Sequence, residues 1–254
     1  MSVVCLTFDV DAEAGLAGEL AAHRQRLSSL SEREFGVRRG LPRILELLGE
    51  HRLRATFYVP GATALRHAEA IHSILDAGHE VGHHGHHHLV SHALDAAGQA
   101  AEIDEGLAAL RPFLGDAVGY RSPAWELTPE TAALLVARGF SHDSSLMADD
   151  RPYWVDAGQG SILELPIHWS LDDVVWFGMG RDSRATAASA WLEAWTGELA
   201  SAARDGRATT LTFHPEVIGR GYRALALERL LAQLTSIGAT ALTHGELAAR
   251  VPRG

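Results

Sequence analysis

Four stretches of the chain carry side chains that could move protons or hold a cation. Phe8-Asp9-Val10-Asp11 closes an apolar run with two carboxylates. Gly82-His83-His84-Gly85-His86-His87-His88 opens a segment in which six of the 15 histidines fall between His83 and His92. The cluster is internal and broken by glycine, which excludes an expression tag. His84 and His88 are four apart, so on a helical turn they share one face and clamp one cation. His83, His86 and His87 are left to support the ligands, wall a pocket or pack. Gly119-Tyr120-Arg121-Ser122-Pro123-Ala124-Trp125 offers a guanidinium that can hold a carboxylate through two parallel N–H bonds. His214-Pro215 ends a Thr-rich apolar run, and the proline stops a strand because it has no N–H to donate. Each feature alone has a plainer reading: a loop or helix cap for the aspartates, a structural ion pair for Arg121, a capping role for His214. Together they make a reaction. One Asp with two His gives three ligands and an open position for water, the pattern of catalytic zinc. Neutral imidazole is the commonest metal ligand near neutral pH. The second Asp can take a proton from water, and the distant His can give one to a leaving amine. This is metal-assisted hydrolysis.

Elements far apart in the chain must bring these residues together. Short β-branched or apolar runs lie at residues 3–8, 55–59, 79–82, 118–120, 140–144, 162–167, 208–213 and 240–242. Between them run helical patterns. Leu41, Ile44, Leu45, Leu47 and Leu48 make one apolar stripe, Ile71, Ile74 and Leu75 another, and Leu225, Leu227, Leu230, Leu231 and Leu234 a third. Thr128-Pro129-Glu130 reads as a helix start, with an N-cap hydroxyl, a proline in the first turn and an acid at the positive end. Gly78, Gly139 and Gly238 follow helices, where a left-handed residue closes the last turn. The βαβα order implies a mostly parallel sheet, either closed as a barrel or doubly wound. In both forms chemistry gathers at the carboxyl ends of the strands. Asp9, His84, Arg121 and His214 all follow predicted strands.

Composition narrows the classes. The chain has 254 residues, 46% hydrophobic and 21% charged, which suits a globular fold. Its formal charge of −10 argues against nucleic acid and anionic membrane as partners. All 22 cationic side chains are arginine, so Schiff-base and P-loop lysines are excluded. With no asparagine there is no N-glycosylation acceptor. A single cysteine, Cys5, builds neither an intrachain disulfide nor a thiolate zinc site. The N-terminus shows no basic and apolar leader, and no window approaches 18 apolar residues, so the expected location is the cytoplasm.

The sequence resembles the polysaccharide deacetylase family, also called NodB-homology or carbohydrate esterase family 4. Five motifs stand in the family's order: Thr7-Phe8-Asp9-Val10-Asp11, His84-Gly85-His86-His87-His88, Arg121-Ser122-Pro123-Ala124-Trp125, Asp143-Ser144-Ser145-Leu146 and Leu211-Thr212-Phe213-His214-Pro215. The likeness spans residues 3–247. It implies a distorted (β/α) barrel of about seven parallel strands and one catalytic domain over residues 1–254. It implies Asp9 as catalytic base, Asp11, His84 and His88 as ligands of zinc or another divalent transition metal, and Arg121 as the residue orienting Asp9. It further implies that the Trp125 N–H serves an oxyanion, that His214 is the acid, and that Leu211 lies in the pocket wall. The chain departs from the family where Val10 separates the two aspartates, where His86 replaces an aromatic, and at Leu89. Those spaced aspartates, with the segments around 143–153, 164–173 and 214–220, resemble a branch containing a peptidoglycan deacetylase, cyclic imide hydrolases and, more distantly, metal-independent allantoinases. Members of that branch are cytoplasmic oligomers.

The expected activity is hydrolysis of a non-peptide carbon–nitrogen bond, as in N-deacetylation of a peptidoglycan or chitin fragment. The alternatives are opening of a small cyclic imide or ureide, a non-catalytic metal-binding protein, and a degenerate member kept as an interaction module. The expected partners are a small molecule or oligosaccharide and further copies of the chain. Trp154, Trp169, Trp176 and Phe177 are candidates to enclose the site. Trp191 and Trp195, at i,i+4 in the stretch 187–199, read as a core face or a subunit contact.

Overall fold

The computed structural model describes residues 3–19 and 26–253. Among the described residues nine strands form one sheet: β1 Val3–Asp9, β2 Ala55–Val59, β3 Glu80–His83, β4 Gly119–Tyr120, β5 His142–Asp143, β6 Tyr153–Asp156, β7 Ser161–Glu164, β8 Ala208–Phe213 and β9 Thr240–Ala241. The spatial order is β6-β7-β5-β4-β3-β2-β1-β8, and β9 pairs with β1. Every neighbouring pair runs parallel except β6 with β7. Leaving out β6, seven strands of that path are parallel, as expected of the α/β barrel class. No continuous ladder closes the sheet among the described residues. A single parallel bridge, Asp172 to Thr212, links the chain beyond β7 to β8.

The expected strands β2 and β8 have the bounds read from the sequence, while β4 and β5 shrink to two residues each. The run 162–167 ends its ladder at Glu164, short of Pro166. Strand β6 was not expected. It makes a hairpin with β7 across Gly158 and Gly160, whose φ angles of 82° and 152° suit glycine. The helix start at Thr128 is confirmed, since its side chain accepts from the Thr131 N–H at 3.1 Å. Gly78, Gly139 and Gly238 all have positive φ.

Alternation along the strands separates two layers. On the helix side, Phe8 stacks between Phe57 and Phe213, with ring centroids 4.9 and 5.0 Å away. Leu6, Leu41, Ile44, Trp191, Trp195, Leu211 and Leu230 join this cluster. Leu211 therefore belongs to the apolar core, which corrects the expectation of a pocket-wall residue. Its in-register partner Leu6 sits in the same layer, and Thr7 and Thr212 face the other way. Trp191 and Trp195 are fully buried in this core, so their face is not a subunit contact. Phe177 is core as well.

The opposite layer is polar. Thr7 Oγ1 lies 3.3 Å from Thr212 Oγ1. Tyr58 Oη lies 2.7 Å from His244 Nδ1, whose Nε2 is 3.2 Å from Thr210 Oγ1. Burial without hydrogen bonds is costly, so this layer is cross-linked from strand to strand. Arg121 stands above it and carries the order of the interior up to the site. No helix among the described residues is long and apolar enough to cross a membrane.

Candidate active site

Asp9 is the last residue of β1, and Arg121 follows β4 directly. Their side chains are 1% and 0% exposed as residues. Arg121 Nη1 donates to Asp9 Oδ1 at 2.7 Å and to Thr7 Oγ1 at 2.9 Å. Its Nε and Nη2 donate to the carbonyl and hydroxyl of Ser144, both at 3.0 Å. The guanidinium also lies 4.4 Å from the Tyr58 ring centroid. Arg121 is thus fixed by four groups besides Asp9, and one oxygen of Asp9 is fixed in turn.

Asp11, His84 and His88 converge beside it. His84 Nε2 and His88 Nε2 each lie 3.5 Å from Asp11 Oδ1. His84 Nδ1 donates to the Arg121 carbonyl at 2.7 Å, which turns the Nε2 lone pair toward Asp11. The histidines do not share a helical face as expected. They sit on a loop bent by Gly85 (φ 71°) and by His88 itself (φ 59°). Glu102, buried in helix Ala96–Leu110, holds that loop. Its carboxylate accepts the N–H groups of His86 at 2.9 Å and His87 at 3.0 Å.

Burial opposes a charge on Asp11, yet His88, His84, His214 and Arg33 hold its carboxyl well below the usual range. Burial lowers the His88 ring to about 4. A carboxylate beside a neutral imidazole is the ligand form for a divalent ion. Asp11 Oδ1 is buried and has no hydrogen-bond partner among the described residues. Such an orphan costs free energy unless something positive meets it. Asp11, His84 and His88 therefore fit a cation, although Arg33 Nη1 also stands 3.7 Å from Asp11 Oδ2. Arg33 is itself paired to buried Glu216 at 2.7 Å.

His214 follows β8 and faces Asp9 from the other side. Its Nδ1 donates to Asp173 Oδ1 at 2.9 Å, and its backbone N–H donates to Asp173 Oδ2 at 3.0 Å. Asp172 Oδ1 is 3.7 Å from the same Nδ1. Burial alone would lower the imidazole, but the two carboxylates outweigh it and raise His214 well above the usual histidine value. Its Nε2 lies 4.0 Å from Asp9 Oδ2, and His84 Nε2 lies 3.9 Å from that oxygen. Asp9, His214 and the trio Asp11, His84 and His88 therefore surround one point.

Trp125 sits in the turn Pro123–Trp125, where Ala124 and Trp125 have φ of 53° and 57°. Its N–H donates to the Ser122 carbonyl at 2.9 Å. A share in an oxyanion site would require that bond to be divided or released. The Trp125 ring stacks on Trp169 at 4.4 Å, and Trp169 is 41% exposed. Trp154 lies elsewhere, donating from its indole to the Pro252 carbonyl at 3.1 Å. Trp176 donates to the Ser170 carbonyl at 2.8 Å.

Comparison with known proteins supplies the family. The polysaccharide deacetylase model matches residues 2–140. The chain belongs to the polysaccharide deacetylase family. A peptidoglycan deacetylase of Helicobacter pylori is 27% identical to it over 280 residues, covering 97% of this chain and 94% of that one. A proposed polysaccharide deacetylase of Mycobacterium smegmatis has a solved structure that superposes with a TM-score of 0.92. It is 36% identical, over 100% of this chain and 93% of that one. An allantoinase shares the fold, with a TM-score of 0.87 at 20% identity, over 100% of this chain and 92% of that one. The barrel architecture of this deacetylase fold accords with the seven parallel strands.

Glu102 and Arg33 are not singled out in the sequence, and Asp173 stands there only as the end of the segment 164–173, with no role given to it. Asp173 lies in the Leu171-Asp172-Asp173 stretch after β7, where paired acids were the available signal. Glu102 and Arg33 come from helices, where an acid or a base looks like any solvated residue.

Proposed function

We propose that this deacetylase-family chain is a metal-dependent hydrolase of a non-peptide carbon–nitrogen bond, and that its substrate is an N-acetylated amino sugar in a cell-wall or chitin fragment. The observation that carries the reading is the buried, unpartnered Asp11 Oδ1 facing two imidazole nitrogens at 3.5 Å, beside a carboxylate already held by arginine. The residues divide the work. Asp11, His84 and His88 would hold the ion. A divalent ion there supplies Lewis acidity toward the amide carbonyl and makes a water more acidic. Asp9, oriented by Arg121, takes the proton from the attacking water. His214, kept charged by Asp172 and Asp173, gives a proton to the leaving nitrogen. Trp125 and Trp169 offer an aromatic face to the substrate ring. The 36% identity over the whole chain to a proposed polysaccharide deacetylase supports the amino-sugar assignment.

The test is mass spectrometry of zinc-loaded protein with N-acetylglucosamine oligomers, a muropeptide fragment, succinimide, glutarimide and allantoin, repeated after chelation. Loss of an acetyl group, abolished by chelator, is the expected result. Addition of water to a ring compound, with the oligomers untouched, would replace the amino sugar by a cyclic imide or ureide.

A further inference from the structure

The histidine run contains three imidazoles that this chemistry does not use. His83 is accounted for by packing. It is fully buried, its Nε2 donates to the Ile103 carbonyl at 3.0 Å, and its Nδ1 accepts the Gly85 N–H at 3.1 Å. His86 and His87 have no such account. The sharp bend at Gly85 and the Glu102 clamp bring both rings near Glu105 of helix Ala96–Leu110. The two rings lie 4.4 Å apart. His86 is only 8% exposed, and its Nε2 stands 3.7 Å from Glu105 Oε2, too far for a hydrogen bond. Its Nδ1 is buried with no partner among the described residues. That atom lies against Gly61, where an added Cβ would come within 2.5 Å, so Nε2 is the ring atom open to a ligand.

We propose that His86, His87 and Glu105 form a second cation site, on the outer side of the loop whose inner side carries His84 and His88. One ligand atom from each of the three lies within 4.8 Å of the other two. Two imidazoles and one carboxylate suit zinc, nickel or copper; calcium and magnesium prefer all-oxygen sets. Glu102 holds the backbone of both histidines, so less ordering is needed on binding than on a free loop. His87 and Glu105 are exposed, which gives an ion a way in and leaves positions for water. The outer site is the weaker of the two, because exposed side chains must be ordered to close it. The inference does not depend on any reaction at the inner site.

The test is metal content. Untagged full-length protein is stripped with chelator, dialysed to equilibrium against zinc, and its zinc per chain is measured by plasma mass spectrometry. Wild type is expected to hold two ions. His87→Gln and Glu105→Gln are each expected to lose one, and Asp11→Asn is expected to keep the outer one. Both outer substitutions fall on exposed positions, so circular dichroism should report an unchanged fold. Zinc content unchanged from wild type in both outer variants would overturn the proposal, whatever the total the wild type holds. Failure of Asp11→Asn to lose an ion would count against the inner site alone, because the outer site is judged by its own variants.

Discussion

Asp9 and Asp11 are two residues apart at the end of one strand, both almost fully buried, yet their surroundings differ in kind. Asp9 meets a guanidinium at 2.7 Å that is itself held by Thr7 and Ser144. The protein completes that corner from its own side chains. Asp11 directs a buried oxygen at two imidazole nitrogens 3.5 Å away and receives no hydrogen bond there. The protein leaves that corner incomplete. The intervening Val10, which packs in the apolar core, is what lets the two carboxylates face different partners. The lesson is that carboxylate type says little about role. The donor opposite it decides whether an oxygen is pinned, as Asp9 Oδ1 is, or left without a hydrogen bond, as Asp11 Oδ1 is.

The largest expected effect comes from Asp9, the proposed base. Asp9→Asn should lower kcat by roughly 10²–10⁴-fold while leaving zinc content unchanged, measured by steady-state kinetics and metal analysis. Next is the arginine. Arg121→Met removes the partner of a buried carboxylate and should cost roughly 3–5 kcal/mol of stability in urea denaturation. Arg121→Lys should not restore the loss, because a point charge cannot meet Asp9, Thr7 and Ser144 together. A result within experimental error of wild type would break the contrast between the two corners.

A third prediction concerns the acid. His214 is raised in the fold by Asp172 and Asp173 against the effect of burial. Asp173→Asn removes one of those carboxylates, so the charged form is lost at a lower pH. The alkaline limb of the kcat/KM profile should therefore move to lower pH. A smaller and more diffuse effect concerns acid stability. Burial lowers His142 to about 3 and His79 to about 4 in the fold. The unfolded chain binds those protons near the ordinary histidine value of roughly 6.5. Below that pH the unfolded state takes up more protons, so these two residues should lower stability progressively as pH falls from ~6.5 toward ~4. His142→Gln should flatten that slope in urea titrations across this range.

Much of the site was legible because strand ends are. β1 and β8 are apolar runs that stop at Asp9 and His214, and an apolar stretch ending in a functional polar residue marks a carboxyl edge. Strand β8 matched to the residue for the same reason, and β2 did because Pro60 stops its apolar run. The local geometry of His84 and His88 was not legible, because four-residue spacing suggests a helical turn, whereas Gly85 and His88 in left-handed conformations give a loop instead. Leu211 was misplaced because its motif position said nothing of strand parity, which sends it to the helix side with Leu6. Glu102 and Arg33 were invisible for another reason. A charged residue on an amphipathic helix reads as solvated until tertiary packing buries it. Strand β6 was hidden by its half-exposed Tyr-Trp-Val-Asp sequence and by an antiparallel pairing in an otherwise parallel sheet.

The most direct test of the contrast is the zinc content of Asp9→Asn and Asp11→Asn, each made in a His87→Gln, Glu105→Gln background so that only the inner site counts. Asp9→Asn should hold one tightly bound ion that survives gel filtration, and Asp11→Asn should hold none. Loss of the ion from Asp9→Asn, with retention in Asp11→Asn, would reverse the two roles and contradict the account.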